Sequence, residues 1–349
     1  MNSDMRAVVF VETGRFEVRT VPVPRPESGE LLIRVEAAGI CHTDHDILAG
    51  RYAAEFPRIP GHEFAGTVVA VGDASLKRRL GERVAVDPLV SCGSCRNCVR
   101  GFPNLCLLGR AYGAELDGGF AEYASVRAEN AFDAGALPSA AAALGEPFAC
   151  VVNALDRANL TGGEHVAVIG AGPMGMMLTL GLRGRGVQHV TVADRLTERL
   201  DQARRFGATQ TAIVDGPLSR SLGSRDYDLV IDATGRPQVV KEAVGLLADA
   251  GTLIPFGVCP PGSELTLDPN EIYRRQLRII GSFSLARGMP SALRILGSSE
   301  YPVHELGTTV FGLDEAANAL AAVGGADTIK VQFDPQRNSN IQRRKKEIT

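Results

Sequence analysis

The sequence predicts an α/β protein built from a β-rich part and a doubly wound parallel sheet, and two observations predict it. Over the first 150 or so residues, short apolar runs alternate with Gly, Pro and Asp; from about residue 152, strand-like runs alternate with helical stretches. The first rhythm is that of strands joined by loops. The second is that of βαβ units, whose crossover helices return the chain to the same end of a parallel sheet. With 349 residues, 45% hydrophobic and 22% charged, the chain can bury a core in each part.

In the first part the strand candidates are 6–11 (RAVVFV), 31–39 (LLIRVEAAG), 65–72 (AGTVVAVG), 83–87 (RVAVD) and 120–126 (FAEYASV), each closed by a turn former. In the second, strands are expected at 165–170, 189–194, 210–215, 228–235, 251–257 and 277–283. Helices are expected between them at 173–186, 196–207 and 238–248. Beyond 284 the pattern is mixed, with helices near 289–298 and 314–323 and strands near 308–311 and 328–333. Residues 335–349 end in Arg343, Arg344, Lys345 and Lys346 and read as a solvated basic tail.

Composition excludes several classes. A net charge of −3 gives no basic field to draw in nucleic acid or an anionic membrane. No run approaches eighteen uninterrupted apolar residues, and the charges at Asp4, Arg6, Glu12, Arg15, Glu17 and Arg19 interrupt any signal-peptide core. A cytoplasmic protein acting on a small molecule is expected, with neither nucleic acid nor membrane as partner. An odd count of seven cysteines fits a reducing compartment, and Cys150 and Cys259 read as small packing residues.

Four of those cysteines, Cys92, Cys95, Cys98 and Cys106, follow the spacing CxxCxxCx7C. One loop can fold four such thiolates around a tetrahedral ion, so the run reads as a structural zinc site; an iron–sulfur cluster, disulfides and ordinary buried thiols are the other readings. A second motif, Gly170, Gly172 and Gly175 in IGAGPMG, follows an apolar strand and opens a helix at Pro173 and Met174. There the glycines permit a tight turn and close approach of a pyrophosphate to a helix N-terminus. Asp194 ends the next strand, where a carboxylate accepts from ribose hydroxyls and repels a 2′-phosphate, so NAD is expected over NADP even with Arg195 and Arg199 following.

In chain order, GICHTDHD (39–46), PGHEFAGTV (60–68), the cysteine run, GEPFAC (145–150) and VAVIGAGPMG (166–175) resemble the zinc-dependent medium-chain dehydrogenases, the alcohol and polyol dehydrogenase superfamily. The resemblance spans about 5–334. It implies a GroES-like catalytic domain at 1–151 and 284–349, with a Rossmann dinucleotide-binding domain at 152–283 inserted in it. It also implies a second, catalytic zinc drawn from Cys41, His62, Glu63 and Glu146, with Cys41, His62 and one of the two glutamates ligating in any one state. Glu146 stands where alcohol dehydrogenases carry a third ligand cysteine. A carboxylate there is similar to the polyol and threonine dehydrogenase branches.

By the same resemblance Thr43 begins a proton relay. Where the family often has a histidine three residues on, this chain has Asp46, with His45 one position earlier, so Glu146, His45 or solvent can end the relay. His42 and Lys330 match positions that approach the pyrophosphate, a plain surface residue being the other reading of each. Phe256, Gly257 and Val258, with Ser282 and Phe283, are expected to line the nicotinamide half.

The activity implied is reversible NAD-linked oxidation of a secondary alcohol in a polyol, sugar or cyclitol by a homodimer or homotetramer. Threonine and aminocyclitol or amino sugar dehydrogenases are the nearest alternatives. A zinc-free quinone or enoyl reductase would have no use for Cys41, His62, Glu63 and the cysteine loop. A nucleotide sensor or nucleic-acid binder could use the nucleotide domain and the Arg343–Lys346 run, but that is one short basic run on an acidic protein.

Overall fold

The computed structural model describes residues 3–307, 309–325 and 328–337. Most of the basic tail therefore lies outside the described residues. Two compact units emerge. One holds the described residues up to Pro147, with Ala292–Ser298 and those from Val303 on; the other holds Phe148–Ser291 and Ser299–Pro302.

The first unit is β-rich. Its larger sheet runs Thr309–Phe311, Val331–Phe333, Glu30–Gly39, Glu63–Val71, Arg83–Val86 and Ala131–Asp133, and Tyr123–Arg127 also pairs with Glu30–Gly39. A hairpin of Asp4–Glu12 and Arg15–Pro22 adds a second layer, with Ala7, Val8 and Phe10 buried. The core between them includes Leu31, Ile33, Val35, Phe64, Phe120 and Phe333, the last two rings meeting edge to face at 4.8 Å between centroids.

The second unit is a six-stranded parallel sheet in the order Gln210–Ile213, His189–Asp194, His165–Ile169, Tyr227–Asp232, Leu247–Pro255, Arg278–Ile279. The chain starts in the middle strand, fills one side and returns to fill the other, which is the Rossmann order, with a switch point between His165–Ile169 and Tyr227–Asp232. The strands His165–Ile169 and Tyr227–Asp232 are buried on both faces, as parallel strands covered by helices are.

Several expected elements shift. The strand expected at 277–283 is confined to Arg278–Ile279; Ser282 and Phe283 lie in a loop, where Asn153 Nδ2 donates to Ser282 Oγ (3.3 Å) and to the carbonyls of Phe283 (3.2 Å) and Ser284 (2.8 Å). The helix expected to reach 248 stops at Ala243, and Leu247 already begins a strand. Tyr123, not Phe120, starts its strand. The sequence reading missed the strand Arg15–Pro22, where charges interrupt the apolar alternation. It also missed two helices, His42–Leu48 and Gly145–Ala158, which begin inside the motifs themselves. Among the described residues no helix is long and apolar enough to cross a membrane.

Candidate active site

The four-cysteine loop closes on itself. Sγ–Sγ separations are 3.5 Å for Cys95–Cys98, 3.9 Å for Cys95–Cys106 and 4.0 Å for Cys92–Cys98. A tetrahedron with Zn–S bonds of about 2.3 Å has S···S edges of about 3.8 Å, whereas a disulfide needs about 2 Å. The geometry matches a zinc tetrahedron, and all seven cysteines are free thiols. Backbone N–H groups of Cys95 and Cys92 donate to Cys92 Sγ (3.2 Å) and Cys106 Sγ (3.3 Å), the contacts that favour thiolate.

A second group, Cys41, His62 and Glu63, offers one sulfur, one ring nitrogen and one carboxylate oxygen within 4.8 Å of one another. Cys41 caps the helix His42–Leu48, and His62 follows Pro60 and Gly61 in the loop before the next strand. Glu63 opens the strand Glu63–Val71, opposite Gly39. A Cβ on Gly39 would lie 2.1 Å from Glu63 Oε2, so the absent side chain makes room for this carboxylate. Gly61 has φ 91, and a side chain there would also strike the Phe120 ring.

The support of this group is a residue that the sequence reading passed over. Asp44, fully buried, accepts from Cys41 N (2.8 Å) and Gly61 N (3.3 Å), and its Oδ1 lies 3.6 Å from His62 Nδ1. One carboxylate thus ties the cysteine segment to the histidine segment and orients the imidazole, as outer partners of metal-binding histidines do. Burial opposes a charged His62, yet Asp44 and the Cys41 sulfur push its pKa well above the ordinary value in the metal-free chain. The signal was present: an acidic residue three positions after a helix cap is a capping-box partner, disguised because the cap is a cysteine.

Lys330 Nζ lies 2.6 Å from Glu63 Oε1, both side chains buried, so the surface-residue reading of Lys330 is excluded. Glu63 Oε2 is buried with no hydrogen-bond partner among the described residues. An orphaned carboxylate oxygen in a group of thiol and imidazole is what a divalent ion would satisfy, and the donor set fits zinc.

Glu146 sits buried in the first turn of Gly145–Ala158 and is not a member of the three-ligand group. Burial pushes its pKa up to about 7; His62 and Lys330 oppose the rise, while Glu63 and Asp87 add to it. Thr43 Oγ1 is 3.7 Å from Cys41 Sγ. His45 is half-buried in the next turn, its ring centroid 6.0 Å from that of exposed His42; burial and then the His42 charge lower its pKa. Asp46, at the position where the family often has histidine, pairs with Arg51 at 2.7 Å.

In the parallel-sheet unit, Gly170 (φ 100) turns the chain at the end of its strand, and a Cβ on Gly175 would meet Gly170 O at 1.8 Å. Nothing lies within 4 Å of a Cβ built on Gly172, the cap of the helix Pro173–Gly184, so space for a phosphate stays open there. Asp194 accepts from Ala171 N (2.7 Å) and Leu196 N (3.0 Å), joining the glycine loop to the neighbouring strand end; Met174 and Arg199 are half-buried and Arg195 is exposed. Across the switch point Gly257 packs against Gly235, and Phe256 N and Gly257 N donate to Asp232 O at 2.9 and 2.7 Å. Val258 (93% exposed) and Phe283 (61%) stand open to solvent.

A dinucleotide-type sheet in the same chain as a thiol–imidazole–carboxylate group and a four-thiol loop defines a zinc-binding, nicotinamide-linked oxidoreductase. The alcohol dehydrogenase GroES-like domain family matches residues 27–139, and the zinc-binding dehydrogenase family matches 173–298. The D-altritol 5-dehydrogenase of Agrobacterium fabrum is 45% identical over 297 residues, covering 84% of this chain and 88% of the relative. A zinc-binding dehydrogenase of Sinorhizobium meliloti, solved with NADP, superposes with a TM-score of 0.90 at 33% identity over 96% of this chain and 100% of that one. An alcohol dehydrogenase of Escherichia coli CFT073, solved with NADH, gives 0.89 at 34% identity over 95% of this chain and 100% of that one. The chain belongs to the zinc-dependent medium-chain dehydrogenases.

Proposed function

We propose that the protein oxidises a secondary alcohol of a polyol, sugar or cyclitol with NAD, reversibly, and that Cys41, His62 and Glu63 hold the reactive zinc while the four cysteines hold a structural one. The observation that carries this is the second buried carboxylate, Glu146, standing with Glu63 where a third thiolate would make a simpler alcohol site. Likeness to a D-altritol dehydrogenase supports the substrate class. Segments 1–151 and 284–349 supply the metal-binding domain and 152–283 the dinucleotide-binding one. A cytoplasmic homodimer or homotetramer completes the reading.

When bound, zinc supplies a Lewis acid that lowers the pKa of a substrate hydroxyl, and NAD accepts the hydride. The chain's own residues do the rest. Asp44 fixes the imidazole of His62, and Lys330 balances the charge of Glu63. Glu146, with a pKa raised to about 7, can take a proton near neutrality and give it back in the reverse direction. Thr43 and His45 lead from the Cys41 end of the site toward solvent. Gly170, Gly172 and Gly175 admit the pyrophosphate, and Asp194 presents a carboxylate to the adenosine ribose. Val258 and Phe283 offer apolar surface for the nicotinamide.

The test is NADH formation by the zinc-loaded enzyme across polyols, sugars, cyclitols, amino sugars and L-threonine. Turnover confined to L-threonine would overturn the substrate class. Preference for NADP in the wild type, or no gain in relative NADP use by Asp194→Ala, would overturn the cofactor reading.

A further inference from the structure

A cavity of about 560 Å³ lies in the β-rich unit, and none of the candidate metal ligands lines it. Four arginines do: Arg19, Arg58, Arg110 and Arg127, against two carboxylates, Glu30 and Asp117. The chain as a whole is negative, at −3, so this local balance has the opposite sign. The arginines come from four separate segments, and only the fold brings them to one cavity.

Three of the four have a carboxylate within ion-pair distance, and these pairs are loose or shared. Arg19 Nε bonds Glu17 at 2.8 Å, and Arg127 lies 3.5 Å from Glu129, both in half-exposed pairs that are easily exchanged for another anion. Arg110 donates to the Glu115 carbonyl at 3.1 Å and has no carboxylate partner among the described residues. Arg58 is the most telling. Its Nη1 is 3.2 Å from Asp117 Oδ1, an oxygen that also accepts from Ile59 N at 3.1 Å, while its Nε is buried without an acceptor among the described residues. A buried guanidinium N–H left unpaired is costly, and it leaves Arg58 with one carboxylate partner among the described residues, whose oxygen is shared with Ile59 N.

The remaining lining sets the rest of the ligand. Val9, Val21, Ile59 and Leu116 give an apolar floor. The Tyr112 hydroxyl oxygen accepts from Arg127 N at 2.9 Å, which leaves its own proton to donate. The volume is that of a small-molecule site. A guanidinium fork binds carboxylate and phosphate alike, but three arginines lining one cavity can be met together only by an anion with oxygens on several sides, as a phosphate monoester has.

We propose that this cavity is a second binding site, for a small organic phosphate whose apolar body rests on the floor and whose phosphate faces Arg58, Arg110 and Arg127.

Calorimetric titration of the zinc-loaded full chain, saturated with NAD so that the dinucleotide's own phosphate positions are filled, tests it. Phenyl phosphate should bind saturably at one per chain, more tightly than inorganic phosphate or benzoate. The exposed pair of substitutions Arg110→Gln and Arg127→Gln should weaken it by about tenfold or more, the loss expected for charge-assisted bonds, with KM for NAD and for the alcohol unchanged. Arg58→Gln, checked for folding by circular dichroism, should weaken it further. No saturable binding, benzoate binding as tightly as phenyl phosphate, or wild-type affinity in the double variant would each overturn the proposal.

Discussion

The β-rich unit carries two groups of metal-ligand side chains built in opposite ways. The four cysteines lie within fifteen residues of one another and satisfy themselves through neighbouring backbone N–H groups. Cys41, His62 and Glu63 come from a helix cap, a loop and a strand, and residues outside this group hold them: Asp44 beside the imidazole, Gly39 opposite Glu63, Lys330 on its carboxylate. A closed local set suits an ion that holds a loop. A dispersed set with outside supports suits an ion that must keep a position open for substrate.

The largest contrast should come from the ligands themselves. Cys41→Ser is expected to lose one zinc per chain and reduce turnover below detection with little change in Tm. Cys95→Ser should lose the other and lower Tm by about 10 °C or more, since metal binding to a structural site is folding energy. Metal analysis with calorimetry reads both, and a loaded wild type holding at most one zinc would break the comparison. Next, Glu146→Gln should leave both zinc ions and NAD affinity intact while cutting kcat about 10²-fold, the scale of lost proton-transfer assistance. Burial raises the Glu146 pKa to about 7, so it is increasingly ionised as pH rises through that value. A proton acceptor of this kind gives a kcat that falls on the acid side, and Glu146→Gln should lose that limb. Near-wild-type turnover would place Glu146 outside the chemistry.

Two further changes probe the supports. Asp44→Asn keeps size but removes charge from beneath His62, and should weaken metal affinity at the reactive site about 10- to 100-fold while the four-cysteine site is untouched. Competition with a graded chelator series measures the two sites separately, and equal loss from both would show that Asp44 serves the unit as a whole. Lys330→Met leaves Glu63 buried without its cation and should cost about 3 kcal/mol in the metal-free chain. Zinc should restore part of that loss. Denaturant unfolding with and without metal gives the difference, and an equal cost in both states would mean that Lys330 does not balance the site's charge.

What was legible in the sequence follows the same division. The cysteine loop could be read because its ligands sit at fixed short spacing, and the glycine loop because strand, turn and helix are contiguous. Cys41, His62 and Glu63 became legible as a group only through the family's motif order, since nothing in their spacing says that Gly39 and Glu63 face each other across two strands. The tie between Lys330 and Glu63 joins residues 267 apart and no local pattern announces it. Asp44 was missed because GICHTDHD offers two histidines and two aspartates, and the buried one is chosen by helix phase, which a reader without the helix boundary does not have. Short elements failed for the same reason: Arg278–Ile279 is held as a strand by a neighbour, not by its own composition.

The fifteen-residue span of the cysteine loop also bears on the order in which the chain acquires its metals while it is being made. Once residue 106 has left the ribosome all four thiols are present, and a loop can close them round an ion before any sheet exists. The other group has no such shortcut: Glu63 is placed by pairing with Gly39, and its counter-charge at Lys330 emerges 267 residues after it. Chains arrested within the dinucleotide-binding segment should therefore carry one zinc, and released chains two.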